Sequence, residues 1–203
     1  VMEKENAEFT VINGWERVEY IKPSEDFHTS LSFHFDEAFE IVANEVKNIQ
    51  NNVGLTEVNG FNRFEITGSD ASSFVNRMFC GNITQKPGRV GLGYLLNDFG
   101  MMKSEATISN IPASDRGPKR MWYGSAAASE LHDMDWLNQH LKDDEDVVIK
   151  SLTNEQTILL LAGPKSREVL QKLFPELDVS NEGLPFMGYK EGDLSGVHAR
   201  IFR

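Results

Sequence analysis

A lone glutamate among small and apolar residues is the side chain with most scope for chemistry in this sequence. In Met101-Met102-Lys103-Ser104-Glu105-Ala106-Thr107-Ile108 the run reads as a strand with Glu105 at its centre. Alternation puts Met102, Ser104, Ala106 and Ile108 on one face and Met101, Lys103, Glu105 and Thr107 on the other. Spacing leaves two readings open. One is a solvated outer face with Lys103 as partner; the other is a carboxylate held in a cleft to receive a cationic or N–H group. Other candidates carry less. Cys80 as a nucleophile needs an adjacent base, and Phe79 and Gly81 supply none, so a buried structural thiol is expected. Five histidines (His28, His34, His132, His140 and His198) form no close cluster, and a single cysteine removes thiolate zinc sites, so no metal site is expected. Gly91-Leu92-Gly93 begins like a dinucleotide loop. Leu96 occupies the third glycine position, however, and no helix follows to offer its N–H groups to a pyrophosphate. Ser125 and Ser166 lack the G-x-S-x-G elbow of a serine nucleophile.

The elements that must position Glu105 follow from periodicity. Val90 to Leu96 and Met101 to Ile108 flank Asn97-Asp98-Phe99-Gly100, which is turn chemistry, and predict a β-hairpin. Helices are expected from Asp36 (apolar at Phe39, Val42, Ala43, Val46 and Ile49) and after Gly68-Ser69-Asp70 (Ala71, Phe74, Val75 and Met78). Two more are expected from about Ser129 to Leu141 (Leu131, Met134, Leu137 and Leu141 inward) and over Lys165 to Phe174 behind Gly163-Pro164. Strands are expected at Phe61 to Ile66, Met121 to Gly124, Val147 to Leu152, Thr157 to Ala162 and around Val197, Ala199 and Ile201. Residues 1–35 read as an irregular, aromatic-rich segment that packs on the body at 36–203. The stretch from Asn181 to the last strand reads as a loop. Helices separated by pairs of strands with short turns predict an α+β fold with mostly antiparallel sheets.

Bulk properties bound the function. The chain has 203 residues, with 31 acidic against 20 basic side chains and a net charge of −11. Phosphate backbones are bound by Lys and Arg, so this balance argues against nucleic acid as the partner. No run approaches the roughly 18–20 apolar residues of a membrane span. The polar, acidic start lacks the pattern of a secretory signal, and one cysteine suits a reducing compartment, so a cytoplasmic setting is expected.

Several blocks in order resemble the glycine-cleavage T-protein (aminomethyltransferase) folate-binding family. They are Val53-Gly54-Leu55, then Phe61 to Ala71, and the hairpin Leu95 to Ile108, which is similar to the family's M-L-N-x-x-G-G-x-x-x-[DE]-L-T-V. Leu161 to Leu170 resembles L-x-G-P-x-[AS], and Leu184-Pro185-Phe186-Met187 a further block. Gly14-Trp15-Glu16-Arg17, and Ser129 to Asp133 with Trp136, look like the folate domain at the C-terminal end of dimethylglycine dehydrogenases. The resemblance covers about residues 14 to 203.

The resemblance implies a T-protein-like folate-binding domain, truncated at its C-terminal end, with tetrahydrofolate as cofactor and one-carbon (methyl or aminomethyl) transfer as activity. The carbon would come from an N-methylated amine or its iminium, such as that of dimethylglycine. The family's key carboxylate falls on Glu105, which would face the cofactor and offset positive charge. Leu95 and Leu96 would pack against the pterin, and Tyr123, Gly124 and Ser125 would line the pocket. No flavin fingerprint is present, so amine oxidation would belong to a separate flavin-dependent domain or subunit. Family members continue past this point into a G-Y-T-G-E-x-G-x-E region, so the pocket is expected to lack a wall. Rival expectations are a folate-binding module without transfer, of the iron–sulfur or tRNA-modification type, and a docking domain with no ligand. Dimethylsulfoniopropionate demethylase-like transfer is a further variant within the fold.

Overall fold

The computed structural model describes residues 2–12, 14–30, 32–81, 83 and 86–203. In chain order the strands and helices begin with β1 (Ala7–Ile12), β2 (Trp15–Ile21), α1 (Ala38–Asn51), β3 (Gly54–Glu57), β4 (Phe64–Thr67), α2 (Ala71–Met78), β5 (Phe79–Cys80) and β6 (Arg89–Leu96). They continue with β7 (Met102–Ile111), β8 (Arg120–Gly124), α3 (Glu130–Gln139), β9 (Val148–Ser151), β10 (Leu159–Ala162), α4 (Ser166–Leu173), β11 (Tyr189–Leu194) and β12 (Val197–Phe202). Six strands form one antiparallel sheet in the order β5-β6-β7-β8-β4-β9. The α+β class and its antiparallel character are as the sequence indicates.

The β6–β7 hairpin is made by its turn. Asn97 Oδ1 accepts the backbone N–H of Phe99 at 3.0 Å and of Met101 at 2.9 Å, and Gly100 takes φ +76°. The register shifts between Leu95 and Leu96, so Met102 leaves the inner face and is 65% exposed, while Ser104, Ala106 and Ile108 stay inside as alternation requires.

The inner face carries the main core. Phe64, Ile66, Leu95, Ala106, Ile108, Met121 and Tyr123 pack with Ala71, Phe74 and Val75 of α2 and Leu137 of α3. Phe64 and Tyr123, cross-strand partners, stack with centroids 5.1 Å apart. Gly93 is glycine for packing: a Cβ there would stand 2.6 Å from Ile83 Cδ1 and 3.1 Å from the Phe79 ring. On α3 the inward residues differ from expectation. Leu131 is 81% exposed, and Asp133 is fully buried with Leu137, four residues on.

The β11–β12 hairpin, expected as loop over its first strand, covers one end of the outer face. Tyr189 packs with Val90, Ile111 and Trp122, and the Phe202 ring lies 5.0 Å from that of Trp122. Arg120 ties the two layers through Glu65 and Glu191, each at 3.1 Å, and Arg200 adds Glu65 at 3.1 Å.

Contacts gather the chain into two compact units, 1–56 with 160–166, and 57–159 with 167–203. The six-stranded sheet, α2, α3 and the β11–β12 hairpin belong to the second. The first holds an antiparallel β1–β2 hairpin where irregular chain is expected, together with α1 and the pairing of β3 with β10. The apolar stripe of α1 exists as predicted, yet Phe39, Val42, Val46 and Ile49 all remain substantially exposed.

Candidate functional site

The outer face of the sheet beyond the β11–β12 hairpin is open, and Glu105 stands on it. Antiparallel register sets Cys80 opposite Tyr94 and Tyr94 opposite Glu105, so the three form a row across β5, β6 and β7. Leu92 and Thr107 make the next pair, and Thr107 faces Gly124 on β8. Gly124 leaves a flat place there: a Cβ would stand 2.8 Å from the Trp122 ring, which lies alongside. Glu105, Tyr94 and Leu92 are all exposed. Lys103, the partner that spacing offers, is turned away, its ammonium 4.1 Å from the centroid of Trp136. Tyr94 instead stands directly opposite Glu105 across the hairpin, where the nearby carboxylate, by hydrogen bonding and then by its charge, holds the phenol pKa above its ordinary value. Cys80 is exposed, not the buried thiol expected, because in the two-residue strand β5 Phe79 takes the inward position.

The expected cleft is therefore an open face within this chain. A hollow of about 620 Å³ in the same unit lies elsewhere, lined by Ser69, Ser72, Lys119, Arg120 and Asp146 among others. The expected cofactor contacts divide between the two faces. Gly124 shares the outer face with Glu105, and half-buried Leu96 follows Tyr94 along β6. Leu95 and Tyr123 alternate inward and are fully enclosed, so their side chains cannot meet a ligand that meets Glu105. Ser125 is also buried, just past the end of β8.

Tyr123 and Ser125 instead join a buried polar constellation that sequence reasoning missed. Asp133 accepts hydrogen bonds from Tyr123, from Ser125 Oγ at 2.5 Å and from Ser104 Oγ at 3.0 Å. Asn62 completes it, its Nδ2 donating to Ser125 Oγ at 2.8 Å and its Oδ1 accepting the Ser125 N–H at 2.9 Å. Burial, and secondarily Asp133, push the Tyr123 phenol well above its ordinary pKa. The missed signal is positional: Asp133 falls in the apolar stripe of Met134, Leu137 and Leu141. Among the described residues no three His, Cys, Asp or Glu side chains gather as a metal site, and no helix is long and apolar enough to cross a membrane.

An antiparallel α+β domain, closed by helices on one face and open around a carboxylate on the other, is the class these features define. The chain belongs to the family described as the GCVT N-terminal domain, whose model matches residues 1–203. It is 31% identical over 192 residues to the mitochondrial dimethylglycine dehydrogenase of Homo sapiens, a match covering 94% of this chain and 21% of that protein. It is 33% identical over 170 residues to sarcosine oxidase subunit alpha of Rhizobium meliloti (strain 1021), covering 81% of this chain and 17% of that one. The glycine cleavage system aminomethyltransferase T from Bartonella henselae superposes with a TM-score of 0.69 at 20% identity, over 92% of this chain and 44% of the other, a likeness of fold. The chain thus spans about a fifth of the first two relatives' length and under half of the third's.

Proposed function

We propose that the open face around Glu105 forms one wall of a tetrahydrofolate site serving one-carbon transfer of the aminomethyltransferase type, from an N-methylated amine such as dimethylglycine. The observation that carries this is Glu105 itself, a carboxylate in the central part of an unobstructed sheet face in a chain of the GCVT family. The residues fit the group. A reduced pterin is flat, apolar on its faces and rich in N–H donors at its edge. Tyr94, Leu92 and Leu96 offer a platform, the Trp122 ring lies over side-chain-free Gly124 beside it, and Glu105 supplies an acceptor.

Tetrahydrofolate would supply the nitrogens that accept the carbon. Glu105 would orient it by accepting an N–H, and its negative charge would favour positive charge developing on the incoming one-carbon donor. A flavin-dependent oxidase domain or subunit is the proposed source of the oxidised amine, in keeping with the names of the dehydrogenase and oxidase relatives. The proposed setting is a reducing compartment, the cytoplasm on the sequence reading, although the human relative is named mitochondrial.

Calorimetric titration with tetrahydrofolate, comparing the native chain with Glu105→Gln, tests the reading. A hydrogen bond to a charged group contributes about 1.5–3 kcal/mol, so the variant should bind roughly 10- to 150-fold more weakly. Equal affinity would remove Glu105 from the site. Binding that depends on Glu105 but is followed by no transfer, with the oxidised amine supplied, would favour the binding module. No binding by either form would favour the ligand-free docking domain.

A further inference from the structure

We infer that Tyr94 is the positioning residue for Glu105: its hydroxyl holds the carboxylate in one orientation over the open sheet face. The role rests on the reading of Glu105 as the ligand-binding group, but the cross-strand placement behind it stands on its own geometry. Tyr94 and Glu105 are directly opposed on adjacent antiparallel strands, a placement that brings Cβ atoms to about 5 Å and lets side chains meet. A glutamate has three side-chain torsions, and on an exposed strand nothing in the backbone selects among them. A tyrosine has two, and its ring delivers one donor at a fixed reach. The other groups within range do not take this role. Lys103 is engaged with Trp136, and Thr107, two residues along on the same face, pairs across to Leu92 on one side and Gly124 on the other. Cys80, the other neighbour of Tyr94, is on the far side from Glu105.

The consequence is preorganisation. A carboxylate already held by a phenol loses less freedom when it accepts a ligand N–H, and it retains a second oxygen for that purpose. The hydroxyl can do this only as the neutral phenol, and the Glu105 carboxylate opposite it raises the Tyr94 pKa, which keeps the phenol neutral.

The first measurement is an ultraviolet difference titration of the phenolate band on the native chain, assigned to Tyr94 by subtracting the Tyr94→Phe titration. Tyr94 should ionise above its ordinary value in the native chain and return toward it in Glu105→Gln. Cys80→Ser, which alters the other neighbour, should leave it raised. An identical Tyr94 titration with and without the Glu105 charge would overturn the inference. The second is tetrahydrofolate affinity. Tyr94→Phe keeps the ring and removes only the donor, and should weaken binding about threefold to tenfold, the scale of one ordinary hydrogen bond. In the Glu105→Gln background the same change should cost much less, because the group being positioned is gone. Full native affinity in Tyr94→Phe, with Glu105→Gln impaired, would overturn the positioning role. A coupled titration with tetrahydrofolate affinity insensitive to Glu105 would leave the pairing intact and instead overturn both the assignment of Glu105 as a ligand group and the role built on it.

Discussion

Asp133 shows how one residue can matter without touching a ligand. It is fully buried, and three hydroxyls (Ser104, Tyr123 and Ser125) converge on it from β7, β8 and the segment after β8. Ser104 is the chain neighbour of Glu105, so the network fixes the strand from beneath while Glu105 projects from above. Removing the acceptor strands buried donors, each costing about 1–3 kcal/mol. Asp133→Ala should therefore destabilise the fold by roughly 3 kcal/mol or more, with Asp133→Asn costing less because one oxygen remains. Urea midpoints at unchanged slope measure this, and a loss below about 1 kcal/mol for the alanine variant would mean that the hydroxyls find other partners. At this scale the sequence was half legible. Tyr123 and Ser125 were singled out through the resemblance, which matches them to the strand that lines the family's pocket. Burial on the inner face gives them a different job, and alternation along β8 could not say which face was inner. Alternation put Glu105 on the face opposite Ala106 and Ile108, where the structure has it exposed on open sheet and not in a cleft, whereas its neighbour across the hairpin was not foreseen. Lys103 is nearer along the chain, but Tyr94 is opposite across the hairpin, and register decides.

The first strand of the β11–β12 hairpin, read from the sequence as loop while its second strand was expected, is the difference with most effect. Its signal was present in Ser195-Gly196, which take φ +52° and +85° and join Leu194 directly to Val197, the two-residue turn that suits antiparallel strands. Lys190, Glu191 and Asp193 mask the pattern, because a strand that lies over another layer through ion pairs does not alternate cleanly in hydropathy. Helices α2 and α4 and the β6–β7 hairpin were legible since their stripes and turn residues are local. The covering hairpin also carries a pH dependence. Burial, followed by hydrogen bonding to Glu191, raises the Tyr189 phenol pKa above its ordinary value of 10.0, and Tyr123 is raised likewise. A phenol that is harder to ionise when folded contributes stability that is fully present below about pH 10. As pH rises further the unfolded chain loses those protons first, and the contribution falls away. Chemical denaturation between pH 8 and pH 11 should show stability declining above about pH 10. Tyr189→Phe should flatten the decline without abolishing it, since Tyr123 remains. An unchanged slope in that variant would mean that Tyr189 is not buried against the sheet.

At the scale of the whole molecule, burial is unevenly shared. Among the described residues, Ala7 and Tyr20 are the only buried hydrophobics in the unit formed by 1–56 and 160–166; the other described ones belong to the unit built on the six-stranded sheet. Periodicity alone would not have shown this, because the stripe of α1 (Phe39, Val42, Val46 and Ile49) is as regular as that of α2. A stripe records what a helix can bury, while the burial achieved depends on what lies against it. Helix α2 meets β5 and β8 and loses Phe74 and Val75 from solvent completely; α1 has no buried residue at all. Local stability follows such burial, since amide exchange in poorly buried segments proceeds through openings that cost less than global unfolding. Hydrogen exchange read by mass spectrometry should show β6, β7, β8 and α2 exchanging slowest and together, at the free energy of global unfolding. Peptides spanning α1 should exchange several-fold to many-fold faster, with denaturant raising their rate less steeply, the mark of a small local opening. Equal protection in α1 and the central strands would show that its apolar stripe is covered in solution. The outcome bears on the open face as well. Glu105 and Tyr94 stand on the most protected strands, so the pair would keep its geometry through any opening confined to the first unit, and ligand affinity at that face should not track the stability of α1.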